Sequence, residues 1–162
     1  MSYVEKNLMN GEAVVYSGKL NWTIFLQSAF WFVISVVAYI ISYGKFDNNL
    51  AVVLVWVLPL MIAMLSGLLA FITYKTSEFA ITNRRVIVKV GFIRTNSLEI
   101  LLGKIESIQV NQSVLGRIFG FGSISVRGTG GTLDPFDRID APMVFRTKAQ
   151  EQIALMQDSR SV

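Results

Sequence analysis

Two long apolar runs dominate the pattern of hydrophobic and polar positions along this chain. They extend from Trp22 to Tyr43 and from Leu50 to Tyr74, and the only charges between Lys19 and Lys75 are Lys45 and Asp47 in the gap. At about 1.5 Å rise per helical residue, either run can cross a hydrocarbon core of about 30 Å. The polar residues inside them are few and uncharged: Gln27, Ser28, Ser35, Ser42, Ser66 and Thr73. An amphipathic helix of a soluble domain would instead carry a continuous polar stripe. The pattern predicts a transmembrane hairpin over residues 22–74, with spans 22–43 and 50–74. It also sets off an N-terminal arm (1–21) and a C-terminal domain (75–162).

Within the spans, Ser28, Ser35 and Ser42 recur every seventh residue, on one helical face. Ala63, Gly67 and Ala70 make a small-residue stripe in the second span. Small and hydroxylated faces let helices approach closely in lipid, so these six form the expected packing seam, within the hairpin or between subunits. Trp22, Tyr43 and Tyr74 stand at the run ends, where interfacial aromatics concentrate.

After the second span the period changes to two. Phe79 and Ile81 share a face, then Val86, Val88 and Val90, then Leu98, Ile100 and Leu102, then Ile108 and Val110, and finally Ile124 and Val126. Arg85, Ile87 and Lys89 fall on the face opposite Val86, Val88 and Val90. Short alternating segments separated by polar or glycine turns predict an antiparallel sheet with one buried face. Ala13 to Tyr16 can add a strand from the arm. Asp140-Ala141-Pro142 begins a helix whose apolar positions are Phe145, Ala149, Ile153 and Met156. Residues 113–122 break the alternation. There Val114, Leu115, Ile118, Phe119 and Phe121 interleave with Gly116, Gly120 and Gly122, and Arg117 sits among them. One helical turn closing on a glycine loop fits. It either plugs one end of the sheet or meets a neighbouring subunit, another protein or the headgroup region.

Charge adds orientation. Residues 1–74 carry no net charge and residues 75–162 carry +4. Lys6 and Lys19 precede the first span, and Lys75, Arg84, Arg85 and Lys89 follow the second, whereas the loop between has Lys45 alone. The positive-inside rule then places both termini in the cytoplasm. The first run starts late and is longer than the apolar core of a leader, so it reads as an anchor.

The chain has no Cys and no His, which removes disulfides, thiolate chemistry, imidazole bases and most zinc, copper and haem sites. Glu99 and Glu106 make a weak pair for acid–base work. Asp134, Asp137 and Asp140 lack the glycine and closing glutamate of a calcium loop. No intramembrane charge marks a proton or ion path. Gly128 to Thr132 has no Gly-Lys-Ser/Thr ending and is not a phosphate-binding loop. The expectation is a protein without catalytic residues, metal or cofactor, and without a nucleic-acid partner.

A distributed, ordered set of residues resembles the membrane-anchored bacterial pleckstrin-homology-like (PH-like) proteins. It runs from Phe79-Ala80-Ile81-Thr82-Asn83-Arg84-Arg85-Val86-Ile87-Val88 through Gly91-Phe92-Ile93-Arg94, Glu99-Ile100 and Lys104-Ile105-Glu106-Ser107-Ile108. It continues with Gln112-Ser113-Val114-Leu115-Gly116-Arg117, Gly120-Phe121-Gly122 and Gly130-Gly131. The resemblance implies an α+β membrane protein: a two-helix hairpin followed by an antiparallel PH-like β-barrel or sandwich, capped by a C-terminal helix. It also implies the bacterial plasma membrane and a non-catalytic module, some relatives of which form rings.

On these grounds the expected function is self-assembly, or contact with another membrane protein, through the cytoplasmic domain. Val114, Leu115, Arg117, Ile118, Phe119 and Phe121 are the expected contact residues. The alternatives are an anionic-lipid sensor using Arg84, Arg85, Lys89 and Arg94, or a channel or transport subunit with Gln27, Ser28, Ser35 and Ser42 lining a path.

Overall fold

The computed structural model describes residues 3–43, 50–91, 95–132 and 135–161. The loop at 44–49, Arg94 and Asp134 lie outside the described residues. The chain divides into two compact units, one of residues 24–75 and one joining 1–23 to 76–162.

In the first unit, helix α2 (Leu26–Ser42) follows a 3-10 turn at Trp22–Phe25, and α3 (Leu50–Thr76) continues through Pro59. By length and composition, Trp22–Ser42 (21 residues) and Leu50–Thr76 (27 residues) can each cross a membrane. Their large apolar side chains face outward: Phe30, Ile40, Met64 and Leu65 are all exposed. Buried among the described residues of these helices are Ser35, Ser42, Ala63 and Ala70. Gly67 faces Ser28, whose Oγ donates to the Phe25 carbonyl. The Ser35 hydroxyl donates to the Trp56 carbonyl of the other helix at 2.8 Å. Small side chains thus bring the two backbones together, and one hydroxyl stitches them. Replacing Ser35 by alanine is expected to weaken the hairpin by roughly 0.6 kcal/mol. Reversible unfolding of the full chain in mixed micelles reads this, and an unchanged midpoint would dismiss the stitch.

The second unit begins with a short helix, α1 (Tyr3–Lys6), and strand β1 (Val14–Gly18). After the hairpin come β2 (Glu78–Thr82), β3 (Arg85–Val90) and β4 (Asn96–Leu101), which complete an antiparallel sheet in the order β1-β2-β3-β4. A 3-10 turn at Leu102–Lys104 leads to the second sheet. This holds β5 (Ile105–Asn111), β6 (Phe121–Gly128), the two-residue β7 (Gly131–Thr132) and β8 (Phe136–Asp140). Strand β6 pairs with β5, β7 and β8. Helix α4 (Val114–Phe119) lies between β5 and β6, and α5 (Pro142–Ser161) ends the chain.

Two expectations change, and the strand expected from the arm finds its partner. The sheets do not close as a barrel: among the described residues β4 pairs only with β3 and β5 only with β6, so each sheet keeps an open edge. The hairpin does not simply precede the domain; it is inserted between two hydrogen-bonded neighbours, with Gly18 of β1 opposite Phe79 of β2. Only Lys19 to Asn21 separate β1 from the 3-10 turn ahead of α2, and only Ser77 separates α3 from β2. Leu102 is not on a strand but fully buried in the 3-10 turn.

The core lies between the sheets and α5. Phe79, Ile81, Val86 and Val88 share the inner face, and Val126, Ile124, Leu102, Phe145 and Ala149 complete the interior. The outer face of β2 and β3 is covered as well. Ala80 and Ile87 are buried under Val4, with Tyr3 and Leu8 beside it. An apolar residue at an outward position, as Ile87 is, needs such a lid to leave water.

Candidate functional site

Residues 3–13 are stapled to the first sheet by polar bonds. The Tyr3 and Val4 amides donate to the Glu78 carboxylate at 3.0 Å each, and Asn83 bonds the backbone of Gly11 and Ala13. The centre of this staple is Arg85. Its Nε and Nη2 donate to Glu12 at 2.9 Å each, Nη1 donates to Glu99 at 2.6 Å, and Nη2 also reaches the Asn7 carbonyl. Glu12 further accepts from the Thr82 hydroxyl (2.7 Å) and the Met9 amide (2.8 Å). Burial works against the Glu12 carboxylate, yet the Arg85 guanidinium, the Met9 amide and Thr82 together hold its pKa down to about 2. The same bonds to Glu12 push Arg85 further above its usual value.

This geometry removes Arg85 from the headgroup set. It is 7% exposed, and its forked donors are occupied inside the protein. Arg84 stays exposed on the β2–β3 turn. Lys89, half-buried, stands with its Nζ 4.2 Å from the Tyr3 ring centre and lies opposite Glu78. Five residues of extended strand, about 17 Å, separate Arg84 from Lys89, so they do not form one site. Glu99, engaged with Arg85, is not free to work with Glu106.

Val114, Leu115, Arg117, Ile118 and Phe119 are brought together on α4, turned outward and not plugging a sheet, whereas Phe121 begins β6. Val114 is 79% exposed, Leu115 62% and Ile118 69%, with Phe119 and Arg117 also exposed and Phe121 half-buried. The helix starts at Ser113, whose Oγ accepts from the Gly116 amide at 3.0 Å, and ends at Gly120 in the left-handed region at φ 73°. Gln112 holds it from below, donating to the carbonyls of Gly116 and Phe121 at 3.1 Å each. Sequence reasoning missed Gln112, and it missed the role of Asn21. Asn21 is buried and donates to the Phe119 carbonyl (3.2 Å) and to Asp140 (2.6 Å).

A recess of about 450 Å³ lies between the open strand β4 and the β6–β7 turn. Leu98, Ile100, Leu101, Lys104 and Gly128 to Gly131 line it. Among the described residues no cluster of three or more acidic side chains could hold a metal ion.

Two antiparallel sheets closed by a C-terminal helix, with a pair of apolar helices inserted in the sequence after β1, define a PH-like class of α+β module. Residues 24–160 match the bacterial PH domain family, and the chain belongs to that family. The match begins after β1, so Glu12, Asn21 and Trp22 lie ahead of it. No curated protein and no solved structure matched.

Proposed function

We propose that this chain is a non-enzymatic, two-span protein of the bacterial plasma membrane. Its cytoplasmic PH domain works by contact, assembling with further copies or with another membrane protein. One observation carries the reading: the hairpin is inserted between the paired strands β1 and β2, with three residues on one side and one on the other. Connections of three residues and one are too short to act as flexible tethers, which suits a module that works by contact close to its spans. The outward-facing apolar side chains of α2 and α3 support the membrane part of the reading, because a core helix of a soluble protein would turn them inward. The open edge of β4, with its adjoining recess, supplies unpaired backbone groups for a partner strand.

A channel lined by Ser35 and Ser42 fits less well, since both are buried within the hairpin. Native mass spectrometry from mild detergent tests the contact reading. The expected result is a defined oligomer or a stoichiometric membrane-protein partner. A bare monomer at every concentration would remove it, and extraction of the protein by alkaline carbonate would remove the membrane anchor.

A further inference from the structure

The exposed face of α4 has an occupant that chain connectivity identifies. At roughly 100° per residue, Val114, Ile118, Leu115 and Phe119 fall within about 140° of the helix circumference. Gly116 lies on the opposite side and is buried, and a Cβ there would stand 2.5 Å from the Phe121 carbonyl oxygen. The helix backbone therefore lies directly on the start of β6, and α4 cannot roll to bury its apolar face. Ser113 and Gly120 cap it at both ends, and Gln112 ties it down, so this is a built element turned outward.

Trp22 locates that face. Asn21 clamps the chain to the carbonyl of Phe119, and its Oδ1 accepts from the Thr23 amide at 3.0 Å. The Trp22 ring stands edge-on to Phe119 with centroids 5.9 Å apart, and Trp22 is itself half-exposed. The first candidate span starts at this tryptophan. Trp is the residue type of the membrane–water boundary, where its ring is apolar and its N–H wet. An apolar face packed against the boundary tryptophan is within reach of the same boundary, since each residue of chain extends at most about 3.5 Å.

We propose that α4 is a membrane wedge: Val114, Leu115, Ile118 and Phe119 sit with Trp22 in the headgroup and acyl boundary of the membrane that the hairpin crosses. Arg117, on the flank of this face, meets lipid phosphate. The proposal rests on the reading of residues 22–74 as a membrane hairpin. It departs from the expectation of a protein contact at α4 and leaves the open sheet edge for proteins.

The chain contains no cysteine, so single-cysteine variants can be labelled without background. Ile118→Cys on α4, Leu69→Cys on α3 and Glu151→Cys on α5 are labelled with an environment-sensitive fluorophore in the full chain. Each is reconstituted in mixed phosphatidylcholine and phosphatidylglycerol vesicles with brominated acyl chains. The label at 118 is expected to be quenched roughly twofold by bromine about 5–10 Å below the headgroups. The label at 69 is expected to be quenched by deeper bromine, and that at 151 not at all. An embedded 69 with a water-exposed 118 overturns the wedge alone. A water-exposed 69 overturns the hairpin and the wedge with it. Shielding of 118 that ignores bromine and grows with the protein-to-lipid ratio assigns the face to a second copy and also overturns the wedge.

Discussion

Replacing Glu12 by glutamine is expected to destabilise the PH unit by roughly 3 kcal/mol, the largest effect of any single polar change in the arm. The Glu12 side chain is fully buried, and that of Arg85 nearly so. Removing the carboxylate charge leaves a guanidinium in a desolvated place with only Glu99 and the Asn7 carbonyl to answer it. The pH dependence follows from the lowered Glu12 pKa. A carboxyl that falls from an ordinary 4.5 to about 2 on folding gives stability that is fully present above pH 4.5. That stability fades as pH drops toward about 2, where the folded state also protonates. Stability of the natural protein should therefore fall across this window, while the Glu12→Gln curve stays flatter and the two converge in acid. Hydrogen exchange of the β2 and β3 amides in the full chain measures it. Parallel curves at all pH values would show that Arg85 is satisfied without Glu12. The double variant Glu12→Gln with Arg85→Met should recover much of the loss, because it removes the stranded charge.

The same residues show where pattern reading succeeds and where it stops. The hairpin is legible because nothing charged interrupts 22–43 or 50–74, a signal that needs no knowledge of packing. Strands β2, β3, β5 and β6 are legible through the alternation of their apolar positions, which places one face of each in the interior. What alternation cannot tell is whether the outer face is wet. Arg85, Ile87 and Lys89 share that face, and two basic residues out of three read as solvent. Yet Ile87 is fully buried under Val4 and Leu8, and Arg85 is paired with an acid more than seventy positions earlier. The available signals were Ile87 itself and the isolated Glu12, each ordinary in isolation. The apolar turn at 113–122 stayed open for a different reason. A buried plug and an exposed face have the same composition, and only the approach of the Gly116 backbone to Phe121 separates them. Leu102 continues the alternation of β4 yet belongs to a 3-10 turn, because a chain crossing from one sheet to the other can bury a leucine without extending a strand.

Phe145→Ala should cost about 3–5 kcal/mol, and it tests whether the insertion of the hairpin leaves one cooperative domain. Phe145 is 1% exposed. Its ring meets Tyr16 of β1 edge-on at 6.1 Å, and its Cδ2 lies 3.7 Å from where a Cβ on Gly18 would sit. The strand made before the hairpin, its partner β2 made after it and the closing helix α5 therefore come together around this side chain. Truncating it opens a cavity that α5 cannot fill, since Ala149, one turn on, is already fully buried. If the unit is cooperative, protection against hydrogen exchange should drop together in Val14–Gly18 and Phe121–Gly128, with α2 and α3 unchanged. Phe145→Leu should restore part of it. Loss confined to α5, with β1 still protected, would mean that the arm and first sheet stand without the helix.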